Sequence, residues 1–361
     1  MGKTILLAAG GTGGHLFPAA ALAAALNARG CAVELATDDR ALKFGDGFPA
    51  RTIHALPSAT PTSGGLLGKA GAALTLGRGS LAALGLLRRL KPDAVVGFGG
   101  YPTVPPLFAA SLLKIPSLVH EGNAVIGRAN KFLAPRVTRI ASGFPTLGGL
   151  SAAMQAKLTF TGNPLRPNVL EAAKLPFPAM DGPLNVLVTG GSQGARVMSE
   201  IVPAAFALLS TDERRGFTLV FQARGEDGAR VDAAFAAMGM PIERAEFFKD
   251  LPARIAAAHL VVSRAGASTT SEIAAIGRPS ILVPFPFALD QDQASNAKAL
   301  AASGAAQVVA QDAFTPAYLA AALRTARAGP EALKARAAAA KAAGVLDAAE
   351  RLADLTLSLA K

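Results

Sequence analysis

Two stretches of this chain, about 180 residues apart, repeat one pattern: an apolar run, a turn made largely of glycine, then a helical stretch. The first is Ile5-Leu-Leu-Ala-Ala9, Gly10-Gly-Thr-Gly-Gly14 and an Ala/Leu segment from Pro18 to Arg29. The second is Leu184-Asn-Val-Leu-Val-Thr189 followed by Gly190-Gly-Ser-Gln-Gly194. An unbroken apolar run of this length reads as a strand buried on both faces, and glycine lets the backbone turn sharply into a helix. Further strand-length runs stand at Val33–Thr37, Ala94–Phe98, Ser117–His120, Arg139–Ala141, Thr218–Gln222, Leu260–Ser263 and Ser280–Pro284, separated by helical stretches. This alternation predicts an α/β protein with parallel sheets covered on both faces. The repeat predicts two similar domains, and 361 residues suffice for two cores. The Pro/Gly-dense segment Phe160–Pro167 and Leu175-Pro-Phe-Pro178 suit a linker, so the domains are expected at 1–162 and 163–344. A last helix, 345–361, has Leu346, Leu352, Leu355, Leu357 and Leu359 at helical spacing and can pack back on the first domain.

Charge separates the halves further. Residues 1–181 carry a net +10 of the chain's formal +11, so one half holds nearly all the basicity. A nucleic-acid surface is not expected, because no basic run is interleaved with aromatics: there are two Tyr, and the 18 Phe are scattered. The single Cys31 excludes an internal disulfide or a Cys-based zinc cluster and fits a reducing compartment. The glycine turn follows Met1 too closely for a secretory signal, so a cytosolic location is expected. No uninterrupted apolar run reaches the ~18–20 residues of a membrane span. The segment Gly65–Leu90 instead mixes Leu66, Leu67, Leu74 and Leu76 with Lys69, Arg78, Arg88 and Arg89. Apolar side chains ringed by cations suit a face that rests on an anionic bilayer; the alternative is a buried helix with a solvated edge.

Several motifs carry possible chemistry. Each glycine turn opens a helix, where backbone N–H groups and the helix dipole favour an anion. The first is not the dinucleotide fingerprint, because Leu16 stands where its third glycine would be. The second lacks the Gly-Lys-Ser/Thr ending of an ATP-hydrolysing loop. Ser263-Arg-Ala-Gly-Ala-Ser-Thr-Thr-Ser-Glu272 runs from strand into a hydroxyl-rich helix start, which suits a nucleotide phosphate with Glu272 accepting from a ribose diol. Thr269 to Glu272 also match a capping box, so both readings stand at this point. Asp290-Gln-Asp292 resembles a metal-binding Asp-x-Asp, yet it lacks a second acidic cluster and sits where a helix start favours acids, so no metal is expected. The four histidines show no ligand spacing, and His15, at the mouth of a glycine turn, is the candidate general base.

Seven motifs in order carry a closer likeness. Gly10-Gly-Thr-Gly-Gly-His15, Gly99-Gly-Tyr-Pro102, His120-Glu-Gly-Asn123, Gly162-Asn-Pro-Leu-Arg166, Gly190-Gly-Ser-Gln-Gly-Ala-Arg196, Ser263 to Glu272 and Asp290-Gln-Asp-Gln-Ala-Ser-Asn-Ala297 together resemble the MurG family of glycosyltransferases, family 28. The resemblance covers residues 10 to about 300. It implies the GT-B fold, two Rossmann-like domains facing across a cleft. It implies inverting transfer of GlcNAc from UDP-GlcNAc to the C4 hydroxyl of undecaprenyl-pyrophosphoryl-MurNAc-pentapeptide (lipid I), giving lipid II, with no cofactor and no required metal. By motif position it implies that Thr12, Gly13 and Gly14 flank donor and acceptor, that Tyr101 and Asn123 bind substrate, and that Arg166 and Ser192 hold the diphosphate. Phe248 falls where the family usually has Ile beside the uracil. Ala267, Ser268, Thr269, Thr270, Ser271 and Glu272 correspond to the nucleotide clamp, and Gln293, with Asp292 beside it, to the reader of the sugar hydroxyls. His15 is the expected base and Glu121 the reserve. Gly122 stands where the family commonly shows Gln. A lipid-linked acceptor gives the 65–90 segment a purpose as a membrane surface, placing the chain peripherally on the cytoplasmic face of the bacterial inner membrane, with other cell-wall synthesis proteins as further partners. The alternatives are a UDP-GlcNAc 2-epimerase of the same fold and a non-enzymatic, membrane-associated UDP-sugar sensor.

Overall fold

The computed structural model describes residues 2–10, 13–38, 47–60, 65–191, 194–288 and 291–360, excepting the side chains of Leu66 and Leu67. Thr12, Ser192 and Asp290, and the side-chain expectations for Leu66 and Leu67, therefore lie outside the described residues. The chain forms two compact units: residues 1–166 with 346–361, and residues 167–345.

The first unit holds a seven-stranded sheet of β1 (Thr4–Ala8), β2 (Ala32–Thr37), β3 (Thr52–Ala55), β4 (Ala94–Gly97), β5 (Ser117–Glu121), β6 (Arg139–Ser142) and β7 (Leu158–Phe160), in the order β3-β2-β1-β4-β5-β6-β7. Every pairing is parallel. Alternate residues of a strand face opposite layers, and β1 divides that way. Ile5 and Leu7 pack with the helix Gly13–Ala28 and with Leu352 and Ala353 of the last helix, Ala348–Leu359. Leu6 and Ala8 pack on the other face with Leu86 and Leu87 of Gly65–Leu90 and with Leu107 of Val104–Leu112. Because both faces are covered, β1 needs no polar alternation, which is why it reads as a plain apolar run.

The last helix thus returns to the first unit. Beyond its buried leucine, Arg29 pairs with Glu350 at 2.5 Å and Asp354 at 3.1 Å, and Lys3 Nζ donates to Ala360 O at 2.6 Å. Burial of one leucine is worth about 1.5–3 kcal/mol, more than exposed ion pairs of this kind supply.

The second unit repeats the plan with six strands: β8 (Leu184–Thr189), β9 (Phe217–Gln222), β10 (Glu243–Ala245), β11 (Leu260–Ser263), β12 (Ser280–Leu282) and β13 (Ala306–Val308), in the order β10-β9-β8-β11-β12-β13. Its pairings are also parallel. Val186 and Val188 of β8 meet Val202 and Phe206 of the helix Arg196–Ala207, and Phe206 packs edge-on to Phe217 and Phe235. In both sheets the strand order reverses beside the first strand of the unit, β1 or β8. Crevices for ligands open at the carboxyl ends of strands at such a point, and both glycine turns stand there.

The helix Gly65–Leu90 differs from expectation in one respect. An 18-residue window within residues 68–90 reaches a mean hydropathy of 1.3, so the helix is long and apolar enough to cross a membrane by length and composition. Leucine and alanine supply that hydropathy, and glycines and arginines interrupt them, so no continuous run of large apolar residues forms. Ala72, Ala83, Leu86 and Leu87 are buried in the unit, while Leu74, Leu81, Lys69 and Arg78 face outward. Gly79 passes so close to Pro57 that a Cβ there would lie 2.1 Å from its carbonyl oxygen.

Candidate active site

In the first unit the site is assembled at the carboxyl ends of β1, β4 and β5. His15 lies in the first turn of Gly13–Ala28, half-buried. Gly99 and Gly100 follow β4 with φ of 87° and 73°, a conformation that glycine adopts freely. A Cβ on Gly99 would sit 3.4 Å from His15 Nε2 and 3.3 Å from Asn130 Nδ2, so the glycine pair lets the backbone close over the imidazole. Tyr101 begins the short turn Tyr101–Thr103, whose buried Thr103 hydroxyl donates to Gly99 O at 2.6 Å and holds that backbone in place. Burial is the largest influence on His15 and pulls its pKa below the ordinary value; the Glu121 charge and a hydrogen bond with the Gly10 backbone oppose this without cancelling it. A lowered pKa keeps the imidazole neutral near pH 7, the form that accepts a proton.

Glu121, the last residue of β5, is 4% exposed and receives four hydrogen bonds. Asn123 donates to Oε1 from its backbone N and from Nδ2, both at 3.0 Å. Gly127 N reaches Oε2 at 3.0 Å and Asn130 Nδ2 at 2.8 Å. The carboxylate therefore organises the 121–130 loop, and its oxygens are occupied by protein donors. Gly122 contributes through its backbone, its carbonyl accepting from Asn163 Nδ2 at 2.9 Å. His120 shares a 3.0 Å hydrogen bond with Gly162 O, tying the loop to the segment that ends at Arg166. The Arg166 guanidinium lies 4.6 Å from the centre of the Phe17 ring.

The second unit presents its own turn after β8. Gly190 has no room for a side chain, since a Cβ would fall 2.2 Å from Ala195 N, and Gly191 and Gly194 adopt φ of 76° and 67°. After β11 the helix Ala267–Ile276 starts behind Gly266, its N-cap, which makes no side-chain cap. Thr269 to Glu272 therefore lie inside the helix, and the capping-box reading does not describe them. Thr270 Oγ1 donates back to Gly266 O and Ala267 O, and Glu272 is 6% exposed one turn in. Ala267, Ser268, Thr269 and Ser271 are half-buried along the same first turns.

Gln293, near the start of Asp292–Ala301, bridges two segments: its Oε1 accepts from Phe285 N at 3.0 Å and Ala265 N at 3.3 Å. Its amide NH2 has no hydrogen-bond partner among the described residues, which leaves two donors for a ligand. Asp292 Oδ1 accepts from Gln293 N at 2.7 Å, an arrangement of a helix start. Phe248 is buried beneath Arg254, whose guanidinium stands 4.1 Å from the ring centre, so the ring is already stacked within the protein.

Sequence reasoning missed the supporting residues. Asn130, Thr103 and Asn163 act through contacts between segments that no local spacing announces. Arg264, like Asn163, is legible in the sequence only as a member of its motif. It is 8% exposed and donates to Val283 O, Pro284 O and Gln311 Oε1, joining the 263–272 turn to the end of β12.

Two parallel α/β units, each with a glycine turn at the switch point of its sheet, have the architecture of GT-B glycosyltransferases. Residues 5–142 match the glycosyltransferase family 28 N-terminal domain and residues 185–352 the glycosyltransferase family 28 C-terminal domain. The chain belongs to glycosyltransferase family 28. A UDP-N-acetylglucosamine–N-acetylmuramyl-(pentapeptide) pyrophosphoryl-undecaprenol N-acetylglucosamine transferase of Methylorubrum populi is 57% identical over 359 residues, spanning 99% of this chain and 97% of that one. A protein of the same description from Mesorhizobium japonicum is 55% identical over 358 residues, spanning 99% and 95%. Among solved structures, MurG of Acinetobacter baumannii superposes with a TM-score of 0.81 at 29% identity, covering 99% of both chains. The UDP-GlcNAc 2-epimerase of Neisseria meningitidis gives a TM-score of 0.70 at 12% identity over 99% of this chain and 100% of that one, a likeness of fold alone.

Proposed function

We propose that this chain is a hexosyltransferase that moves GlcNAc from UDP-GlcNAc to the C4 hydroxyl of lipid I, with inversion, forming lipid II for peptidoglycan. The observation that carries this reading is the end-to-end identity of 57% with a transferase of that description. The epimerase alternative has only the shared fold behind it, and a sensor would have no use for a neutral base.

His15 takes the proton from the acceptor hydroxyl as that oxygen bonds to the anomeric carbon of GlcNAc; the bond from that carbon to the diphosphate breaks, and UDP leaves with the electron pair. One displacement of this kind inverts the anomeric centre and needs no protein nucleophile. Glu121 acts as a positioning residue, since its oxygens are filled by Asn123, Gly127 and Asn130. That arrangement presents Asn123 to the sugar and supports His15 electrostatically. Thr12, Gly13 and Gly14 flank donor and acceptor, and Tyr101 binds substrate. Arg166 and Ser192, with the Gly190–Gly191 turn and the start of Arg196–Ala207, meet the charge that grows on UDP. Residues 267–272 hold the nucleotide, with Glu272 on the ribose, and the free donors of Gln293 read sugar hydroxyls. Uracil is met by the backbone at Phe248, because its ring is taken by Arg254.

Lys69, Leu74 and Arg78, exposed on one long helix, rest on the anionic cytoplasmic surface of the inner membrane and bring the enzyme to its lipid-linked acceptor. The test is transfer of labelled GlcNAc from UDP-GlcNAc to a lipid I analogue beside an acceptor-free control. Product that requires the acceptor supports the transferase; turnover of UDP-GlcNAc without acceptor supports the epimerase instead.

A further inference from the structure

Gln222 is the last residue of β9, 5% exposed, and its side-chain amide uses its oxygen and both N–H donors. Its Oε1 accepts from the Thr189 hydroxyl at the end of β8. Its Nε2 donates to Gly191 O and to Glu246 O, both at 3.2 Å. Thr189 Oγ1 in turn accepts from Gly191 N at 3.3 Å, and Gly191 O also accepts from Gly194 N at 3.1 Å. Gly191, at φ 76°, is therefore held at both its N–H and its carbonyl, and rotation of the peptide plane bearing that carbonyl is opposed by two donors. The same amide pins Glu246, two residues before Phe248.

We propose that Gln222 is a positioning residue of the donor site, locking the turn that receives the diphosphate and the segment that receives the nucleobase at a fixed spacing. Only a side chain with one acceptor and two donors can make this junction: Glu lacks the donors and would set a charge against two carbonyls, and Leu supplies neither. The inference rests on the donor-site reading above, in which the Gly190–Gly191 turn meets the diphosphate and Phe248 marks the uracil. It adds a residue outside those motifs that touches neither end of the ligand and sets how they are spaced. Preorganising both segments removes an ordering cost from donor binding, so the effect falls on donor affinity rather than on the acceptor.

The experiment measures KM for donor and for acceptor, and UDP affinity by calorimetry, in Gln222→Leu, Thr189→Val and Thr189→Ser. Loss of a buried hydrogen-bond junction predicts that Gln222→Leu and Thr189→Val each weaken UDP binding and raise donor KM about tenfold, with acceptor KM changed by less than about twofold. Thr189→Ser, which keeps the hydroxyl, stays close to the parent. The Thr189 pair separates hydrogen bonding from packing, because Val matches the shape of Thr and Ser does not. An impaired Ser variant beside an unimpaired Val variant overturns the proposal, as does equal movement of donor and acceptor KM. If Gln222→Leu does not fold, the Thr189 pair decides alone. Absence of acceptor-dependent transfer in the parent protein would instead refute the transferase reading, while the UDP affinities would still report on Gln222.

Discussion

Replacing Glu121 by Gln keeps the side chain's size and removes two things the structure uses: acceptor capacity and charge. The carboxylate accepts from Asn123 N, Asn123 Nδ2, Gly127 N and Asn130 Nδ2 at 2.8–3.0 Å. A glutamine amide can serve two of these donors through its oxygen, but its NH2 then faces the other two. At about 1.5–3 kcal/mol for each hydrogen bond to a charged group, two losses come to about 3–6 kcal/mol before relaxation. With Glu121 at 4% exposure, water cannot replace them, and a whole domain is stable by only about 5–15 kcal/mol. Urea unfolding of the Glu121→Gln variant should show this loss. The pH profile of kcat/KM supplies the second readout. The base must be neutral to act, so activity falls as pH drops through the His15 pKa. Burial holds that pKa down and the Glu121 charge raises it; removing the charge lowers it further and moves the acidic limb to lower pH. A variant within about 1 kcal/mol of the parent, or an acidic limb that stays or moves up, would refute this account of the loop.

Three further outcomes are expected. Glu272→Ala should weaken UDP-GlcNAc binding by about 1.5–3 kcal/mol in calorimetry, and unchanged affinity would remove Glu272 from the ribose. Arg278 is 2% exposed, burial pulls its guanidinium down to about 10, and it donates to the carbonyls of Ala256, Ile276, Gly277 and Pro176. Arg278→Leu strands those carbonyls and should cost about 3 kcal/mol or more in unfolding, so a variant as stable as the parent would contradict the role. Replacing Lys69 and Arg78 together by Gln should weaken sedimentation with anionic vesicles roughly 30-fold, from about 1 kcal/mol per cation, and leave any binding to neutral vesicles unchanged. Equal binding to both vesicle types before and after substitution would contradict the membrane surface.

The sequence exposed the interior of both sheets and concealed their margins. The strands legible as apolar runs, among them β1, β4, β5, β8 and β11, lie inside the sheets, where helices cover both faces. The four strands with no such signal, β3, β7, β10 and β13, are the four edges. Each is three or four residues long and none contains a buried residue, so no hydrophobic run was needed to form it. At the site, glycine turns and motif order were readable because their chemistry is local. The supports were not: Gln222 reaches Thr189 across 33 residues and Asn163 reaches Gly122 across 41, pairings that exist only once the strands are side by side. The capping box at Thr269 failed for a local reason, since Gly266 starts that helix earlier than the Thr/Glu spacing implies.

The central claim is that a neutral His15 removes the acceptor proton in a direct displacement. The most direct test measures kcat for GlcNAc transfer to a lipid I analogue, together with UDP-GlcNAc affinity, for the parent and for His15→Ala. The account predicts kcat lower by ~10²–10⁴ with donor affinity largely kept; an unchanged kcat would contradict it.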